Sequence, residues 1–230
     1  MIATHMNLLK GVDLFSALSD AQIGYIAGMT EEQDFGRGET ILKESDISET
    51  FFIIAQGSVK VVIVAEDGRE AILATLSEGD FFGEMALLDG EPRSATVRAV
   101  GKTRLLVVHR EDFMHCLGKH PDLGLALLAQ MSRRLRAADR QISSLALMNV
   151  YGRVAATLLK LMEERGIRMR ARDGKAIIVI HARPTHKTIA DMSGTTRETV
   201  TRVFKTLEEK GAIATPGRDL VILEESRLRS

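Results

Sequence analysis

Residues 83–97 read GEMALLDGEPRSATV. Gly83-Glu84 leads into Met85 and Ala86, a turn follows at Asp89-Gly90 and Pro92, and Arg93-Ser94-Ala95 closes the run. The segment brings together a backbone that can approach a ligand closely, one planar cation, one hydroxyl and one carboxylate. Such a set suits a ribose phosphate. Arg93 can fork onto the anion, Ser94 adds a donor, exposed N–H groups face the charge, and Glu84 can accept from a sugar hydroxyl.

On either side of this loop the sequence has the texture of short strands. The runs Phe51–Ala55, Val59–Val64, Ala71–Leu76, Ala95–Ala99 and Arg104–His109 are separated by Gln56-Gly57, Asp67-Gly68 and Glu78-Gly79, with Arg37-Gly38 marking a turn ahead of them. Asp67-Gly68 between two β-rich runs is a hairpin signal. Strands at this spacing predict a small antiparallel barrel or sandwich, with the anion loop between two of them. Residues 13–29 precede it as a helical pattern with Leu14, Leu18, Ile23 and Ile26 on one side.

After residue 110 the period changes to that of a helix. Pro121 suits a first helical turn. Leu128, Met131, Leu135, Ala138, Ile142 and Leu145 then recur in steps of three and four, which is the seam of a parallel two-helix coiled coil. Leu128, Leu135 and Ile142 take position a; Met131, Ala138 and Leu145 take d. Arg134 at g of one copy then faces Asp139 at e of the other. The plainer alternative is an amphipathic helix lying on its own barrel. Helix continues from Asn149 to about Arg165, with a hinge expected near 147–150. Two strands, Ile167–Ala171 and Ala176–His181, flank Asp173-Gly174.

Thr185 is the expected N-cap of a helix ending before Gly194, and Thr195 or Thr196 opens another that runs to Lys210. Two helices joined around a glycine predict a helix-turn-helix, followed by a wing-like hairpin over 212–223. Ile189, Ala190, Val200, Val203, Phe204 and Leu207 form its expected buried face. Arg197, Glu198 and Arg202 are left outward near the start of the second helix, the end that enters a major groove. Arginine forks onto guanine and a carboxylate accepts from cytosine, so this face predicts G·C pairs. Thr185, His186, Lys187, Thr195, Thr196 and Lys205 are placed to meet the backbone, and Thr199 is a further DNA-binding candidate. An intrahelical Glu198–Arg202 pair is the competing explanation of those charges.

Composition is consistent with this division. The 230 residues are 45% hydrophobic and carry no net charge, yet residues 1–110 hold 10 Lys and Arg against 17 Asp and Glu, and residues 111–230 hold 21 against 14. The basic half is the natural partner of a polyanion. Cys116 is the only cysteine, which excludes an intrachain disulfide and a cluster held by several thiolates. His109, His115, Cys116 and His120 match no tight metal-ligand spacing and read as surface or packing residues, so no metal is expected. No apolar run reaches membrane-span length and no signal peptide is read, which points to the cytoplasm. Glu84 and Arg93 without a nucleophile or metal make no enzyme.

Taken together, the chain resembles the cyclic-AMP receptor and Fnr family of bacterial transcription regulators from about residue 10 to 224. FFGEMALLDGEPRSATV is similar to the family's phosphate-binding cassette, AQMSRRL and NVYGRVAATLL to its dimer helix and the start of its DNA-binding domain, and GTTRETVTRVFKTLEEKGAI to its recognition helix. The resemblance implies an α+β chain. A jelly-roll-like, antiparallel β-roll cyclic-nucleotide-binding domain would span 1–119, a dimerisation helix 120–148, and a winged helix-turn-helix 149–230. It implies that Gly83, Glu84, Met85, Ala86, Arg93, Ser94 and Ala95, with Arg134, Ala138 and Asp139 of the dimer helix, line a nucleotide site. It implies palindromic DNA with TGTGA-like half-sites, RNA polymerase as a partner, and control by a cyclic nucleotide, cyclic AMP first and cyclic GMP or cyclic di-GMP next. Ala138 and Asp139 stand where cyclic-AMP receptors carry a Thr-Ser pair that reaches adenine. The phosphate end therefore matches while the base end departs, and a regulator active without ligand stays open. So does a nucleotide-binding module that contacts protein and not DNA.

Overall fold

A computed structural model of the chain describes residues 2–171 and 174–229; Asp173 of the expected hairpin turn lies outside them. The chain divides into two compact units, residues 1–138 and 139–230.

The first unit begins with α1 (Ile2–Lys10), a 3₁₀ turn at Asp13–Phe15 and α2 (Asp20–Ala27). Neither α1 nor the break within 13–29 is expected from the sequence pattern. Ser19 makes the break, because its side chain caps α2 reciprocally with Gln22. Eight strands follow: β1 (Glu31–Phe35), β2 (Thr40–Leu42), β3 (Thr50–Gln56), β4 (Ser58–Val64), β5 (Glu70–Ser77), β6 (Phe81–Phe82), β7 (Thr96–Ala99) and β8 (Thr103–His109). The short helix α3 (Glu84–Asp89) lies between β6 and β7. The strands form two antiparallel sheets, β1-β8-β3-β6 and β2-β7-β4-β5.

The run Phe51-Phe52-Ile53-Ile54-Ala55 explains the layering. Successive side chains of a strand point to opposite faces. Phe52 and Ile54 meet Leu42, Val59, Phe82, Val97, Leu105 and Val107 between the two sheets. Phe51, Ile53 and Ala55 pack the other way, into a cluster with Leu9, Phe15, Ile26, Leu87, Phe113, Leu123 and Leu127 of the helices. A strand buried on both faces reads as a continuous apolar run. The hairpin at Asp67-Gly68 forms between β4 and β5, with Gly68 at φ +78°.

Helix α4 (Arg110–Lys119) leads to α5 (Pro121–Leu147), which starts at Pro121 and runs 27 residues across the boundary of the two units. Leu123, Leu127 and Met131 lie on the core of the first unit. Leu128, Leu135 and Ile142 stand on another side and are 64%, 65% and 63% exposed. Met131, expected in the seam, is therefore turned to its own chain: it follows Leu123 and Leu127 at four-residue steps, which share one helix face.

In the second unit α6 (Val150–Arg165) is capped by Asn149, whose side chain accepts from the Gly152 N–H. This cap sets the expected break after Leu147. Strands β9 (Ile167–Arg170) and β10 (Ala176–Ile180) precede α7 (His186–Ser193) and α8 (Arg197–Glu209); β11 (Ile213–Ala214), β12 (Leu220–Ile222) and α9 (Ser226–Arg229) close the chain. The expected wing is the β11–β12 hairpin, and it joins the earlier pair in one sheet, β11-β12-β10-β9. Val200, Val203, Phe204 and Leu207 are buried with Ile189, Ala190, Leu158 and Ile222, so α8 buries one stripe at helical spacing.

Candidate functional site

Two separate sites emerge, one in each unit. The first is built around Gly83, which ends β6 at φ +89° and opens α3. A Cβ there would stand 2.9 Å from the Thr50 carbonyl oxygen and 3.0 Å from Arg93 Nη1, so only glycine fits the crossing. Arg93 comes back beneath it and is 4% exposed. Its Nη1 donates to the Gly83 carbonyl at 2.7 Å. Its Nη2 donates to Ser48 Oγ at 2.8 Å and the Thr50 carbonyl at 2.7 Å. Both terminal nitrogens of Arg93, expected to fork onto an anion, have protein acceptors in this structure, and Nε alone is buried without one. Burial pushes the Arg93 guanidinium down from its ordinary value and the nearby Glu84 pushes it back up; it stays cationic.

Glu84 is 2% exposed. Arg134 of α5 donates to its Oε1 at 2.7 Å and also to the Phe81 carbonyl. Glu84 Oε2 is buried with no partner. Arg134 is therefore engaged by Glu84 in its own chain. Ser94 is exposed, its hydroxyl meeting only Met85 S at 3.7 Å. Met85 is exposed, Ala86 half-buried and Ala95 buried; Ala138 and Asp139 are exposed on α5. The cassette residues from Gly83 to Ala95 and Arg134 come together. Its open valences are a carboxylate oxygen, a guanidinium Nε and a free hydroxyl, which fit a sugar hydroxyl and an anion.

The second site is the α7–α8 pair. Gly194 turns the chain at φ +60°. Thr185 and Thr196 are the two N-caps, accepting from the Thr188 and Thr199 N–H groups. Arg197, Glu198 and Arg202 are exposed on α8. Arg202 Nη2 donates to Thr199 Oγ1 at 3.2 Å; among the described residues Glu198 and Arg202 form no direct ion pair, although the Arg202 charge still favours the Glu198 carboxylate. The Glu198 carboxyl is held below its usual range by backbone and Thr196 hydrogen bonds. Lys187 pairs with Asp191 at 2.7 Å and Lys205 lies 3.9 Å from Glu209. Thr195 is half-buried. His186, expected to meet phosphate, is turned inward: its ring lies 4.6 Å from Phe204 and its Nε2 is buried.

Arg153 escaped the sequence reading. From α6 its Nε donates to the Ser193 carbonyl at 3.0 Å, Nη2 to the Gly194 carbonyl at 3.2 Å, and Nη1 to the Met148 carbonyl at 3.2 Å. One guanidinium thus ties the α7–α8 turn to the α5–α6 junction. A lone arginine on an amphipathic helix carries no sequence signal of that role.

Comparison with known proteins decides the family. Residues 32–120 match the cyclic nucleotide-binding domain and residues 152–230 the Crp-like helix-turn-helix domain. The cAMP-activated global transcriptional regulator CRP of Pasteurella multocida (strain Pm70) is 37% identical over 184 residues, covering 80% of this chain and 85% of that protein. The chain belongs to the CRP/Fnr family. The cyclic AMP receptor protein of Thermus thermophilus is 33% identical over 222 residues, covering 94% and 97%. The structure of FixK2 from Bradyrhizobium japonicum has a TM-score of 0.71 at 26% identity, covering 87% of this chain and 96% of that one. As a CRP/Fnr protein the chain is a transcription regulator and no enzyme, with a cyclic nucleotide-binding domain and a DNA-binding helix-turn-helix. Among the described residues no three His, Cys, Asp or Glu side chains gather for a metal ion, and no helix is long and apolar enough to cross a membrane.

Proposed function

We propose that the chain acts as a homodimeric, sequence-specific regulator whose DNA affinity is set by a cyclic nucleotide, cyclic AMP first and cyclic GMP or cyclic di-GMP next. The observation that carries this reading is the pair of buried, unmatched polar atoms at one spot, Glu84 Oε2 and Arg93 Nε. Buried polar groups are nearly always paired, and a ribose hydroxyl with a cyclic phosphate would pair both. Ser94 adds a hydroxyl to the phosphate. The P. multocida relative is a cAMP-activated regulator, which supports cyclic AMP. Against it, Ala138 carries no hydrogen-bonding side chain at the base end, where Asp139 can only accept from an exocyclic amine.

In the proposed state a ligand hydroxyl at Glu84 bears on Arg134, and through it on α5, whose other side pairs two copies. Two recognition helices are then set about one DNA turn apart, with Arg197, Glu198 and Arg202 reading TGTGA-like half-sites and Thr185, Lys187, Thr195, Thr196, Thr199 and Lys205 on the backbone. The ligand must bind the two states unequally or it switches nothing. RNA polymerase is the proposed downstream partner, and the domain limits 1–119, 120–148 and 149–230 belong to the same reading.

The test joins calorimetric titration with cyclic mono- and dinucleotides to fluorescence anisotropy on a palindromic TGTGA duplex at fixed salt. One nucleotide binds and tightens the duplex; Arg93→Ala removes the tightening. Arg197→Ala and Arg202→Ala remove sequence preference. A second reading, a regulator active without effector, is favoured by the protein acceptors that already fill both terminal nitrogens of Arg93. It is supported if duplex affinity is the same with and without every nucleotide. No duplex binding under any condition would make the basic half a protein-contacting module.

A further inference from the structure

His186 opens α7 but faces α8. Its Nδ1 lies 3.0 Å from Thr201 Oγ1, and the Thr201 hydroxyl proton is already donated to the Arg197 carbonyl at 3.0 Å. With that proton on the Arg197 carbonyl, Thr201 oxygen accepts and His186 Nδ1 carries the proton of the pair. That leaves Nε2 as a bare lone pair, buried and with no acceptor or donor in hydrogen-bonding distance. The relay Nδ1–H to Thr201 Oγ1 to Arg197 carbonyl fastens the first helix to the opening turns of the second. Arg197, the first residue of α8, sits at its far end.

We propose that His186 is a positioning residue of the DNA reader: as the neutral ring it holds α8 through Thr201, and protonation at Nε2 loosens that hold and weakens DNA binding below neutral pH. The proposal rests on DNA binding through α8. A proton on Nε2 would create a buried N–H with no acceptor, which is costly, and a cation among cations. The charged groups facing the ring are Arg183 from the segment before α7 and Arg197 and Glu208 from α8. Burial first, then Arg183 and Arg197, hold the imidazole below its ordinary value, while Glu208 opposes them. The sign follows. An unfolded chain binds this proton more readily than the folded one, so the stabilisation is complete above about pH 6.5 and falls as pH drops below it.

The experiment measures duplex affinity of the full chain from pH 7.5 to 5.5 for the wild type, His186→Asn and His186→Ala, with thermal unfolding as the fold control. The Asn amide can donate to Thr201 but does not titrate. The wild type is expected to lose about fivefold in affinity on acidification, the loss of one hydrogen bond between the two helices. His186→Asn keeps the neutral-pH affinity within about twofold and loses most of the pH slope, and His186→Ala is weak throughout. Tightening on acidification, the behaviour of an imidazolium on phosphate, overturns the proposal. So does an Asn variant with the wild-type slope. Absence of duplex binding at every pH counts against α8 as the reader, on which the proposal rests, and overturns both; with binding present, an NMR titration midpoint for His186 at or above about 6.5 overturns the proposal alone.

Discussion

At Gly83 the cassette depends on the absence of a side chain. The residue combines φ +89° with a Thr50 oxygen and an Arg93 nitrogen within 3.0 Å of any added Cβ, so Gly83→Ala meets both backbone strain and a clash with the group that braces the loop. The expected cost is about 1–3 kcal/mol of first-unit stability, read by thermal unfolding, with loss of the calorimetric nucleotide signal. Ser94 offers the complementary test. Its hydroxyl is exposed and supports nothing in the fold beyond a weak contact to Met85. Ser94→Ala should leave the unfolding temperature unchanged while weakening effector binding about five- to tenfold, the value of one hydrogen bond of about 1 kcal/mol. Equal affinity in both proteins would take Ser94 out of the anion site. The identity of these residues was legible from their chemistry and spacing. Their partners were not, because Arg93 and Arg134 donate largely to the Gly83, Thr50 and Phe81 carbonyls, which any sequence supplies, and to the Ser48 hydroxyl 45 residues away in the chain.

Among the elements, the junction of α5 and α6 and the α7–α8 turn are held by one side chain. Removing the Arg153 guanidinium frees the Met148, Ser193 and Gly194 carbonyls together. Arg153→Ala should lower second-unit stability by about 1–3 kcal/mol and weaken duplex binding more than Arg153→Lys does, since a lysine cannot span three acceptors in a plane. Anisotropy and unfolding on the same two variants check this; a lysine variant as weak as the alanine one would refute the geometric part. Elements with local chemical punctuation were readable in advance. Asp67-Gly68 marks its hairpin, and Thr185, Gly194 and Thr196 mark the ends of α7 and α8. Elements fixed by tertiary pairing were not. The strand β1, Glu-Glu-Gln-Asp-Phe, has four exposed residues and no apolar alternation, and it is a strand because it pairs with β8. Helix α1 is held from outside its own pattern: His5 is buried, with one ring nitrogen 2.7 Å from Thr30 Oγ1 and the other 2.9 Å from Glu32.

For the molecule as a whole, the open question is what covers the a row of α5. Leu128, Leu135 and Ile142 are mostly exposed although each is seven residues from the next, and a single chain gains nothing from that regularity. Burial is worth about 25 cal/mol per Å² of apolar surface, so three leucine-sized side chains paired with their copies supply a substantial part of a dimer contact. Leu135 lies at the middle of the row and belongs to neither core of its own chain. Leu135→Asp would bring two carboxylates face to face across the seam, where removal from water without a partner is strongly unfavourable. Sedimentation equilibrium at micromolar concentration should show a dimer for the wild type and a monomer for the variant. Unfolding of the individual units should shift by no more than about 0.5 kcal/mol, as expected for a surface position. Affinity for a palindromic duplex should fall by about a hundredfold or more, because the second half-site is no longer bound at the high effective concentration that linkage provides, while affinity for an isolated half-site stays the same. A variant that remains dimeric and keeps its palindrome affinity would show that another surface joins the copies, and α5 would then have no part in setting the spacing of the two reading helices.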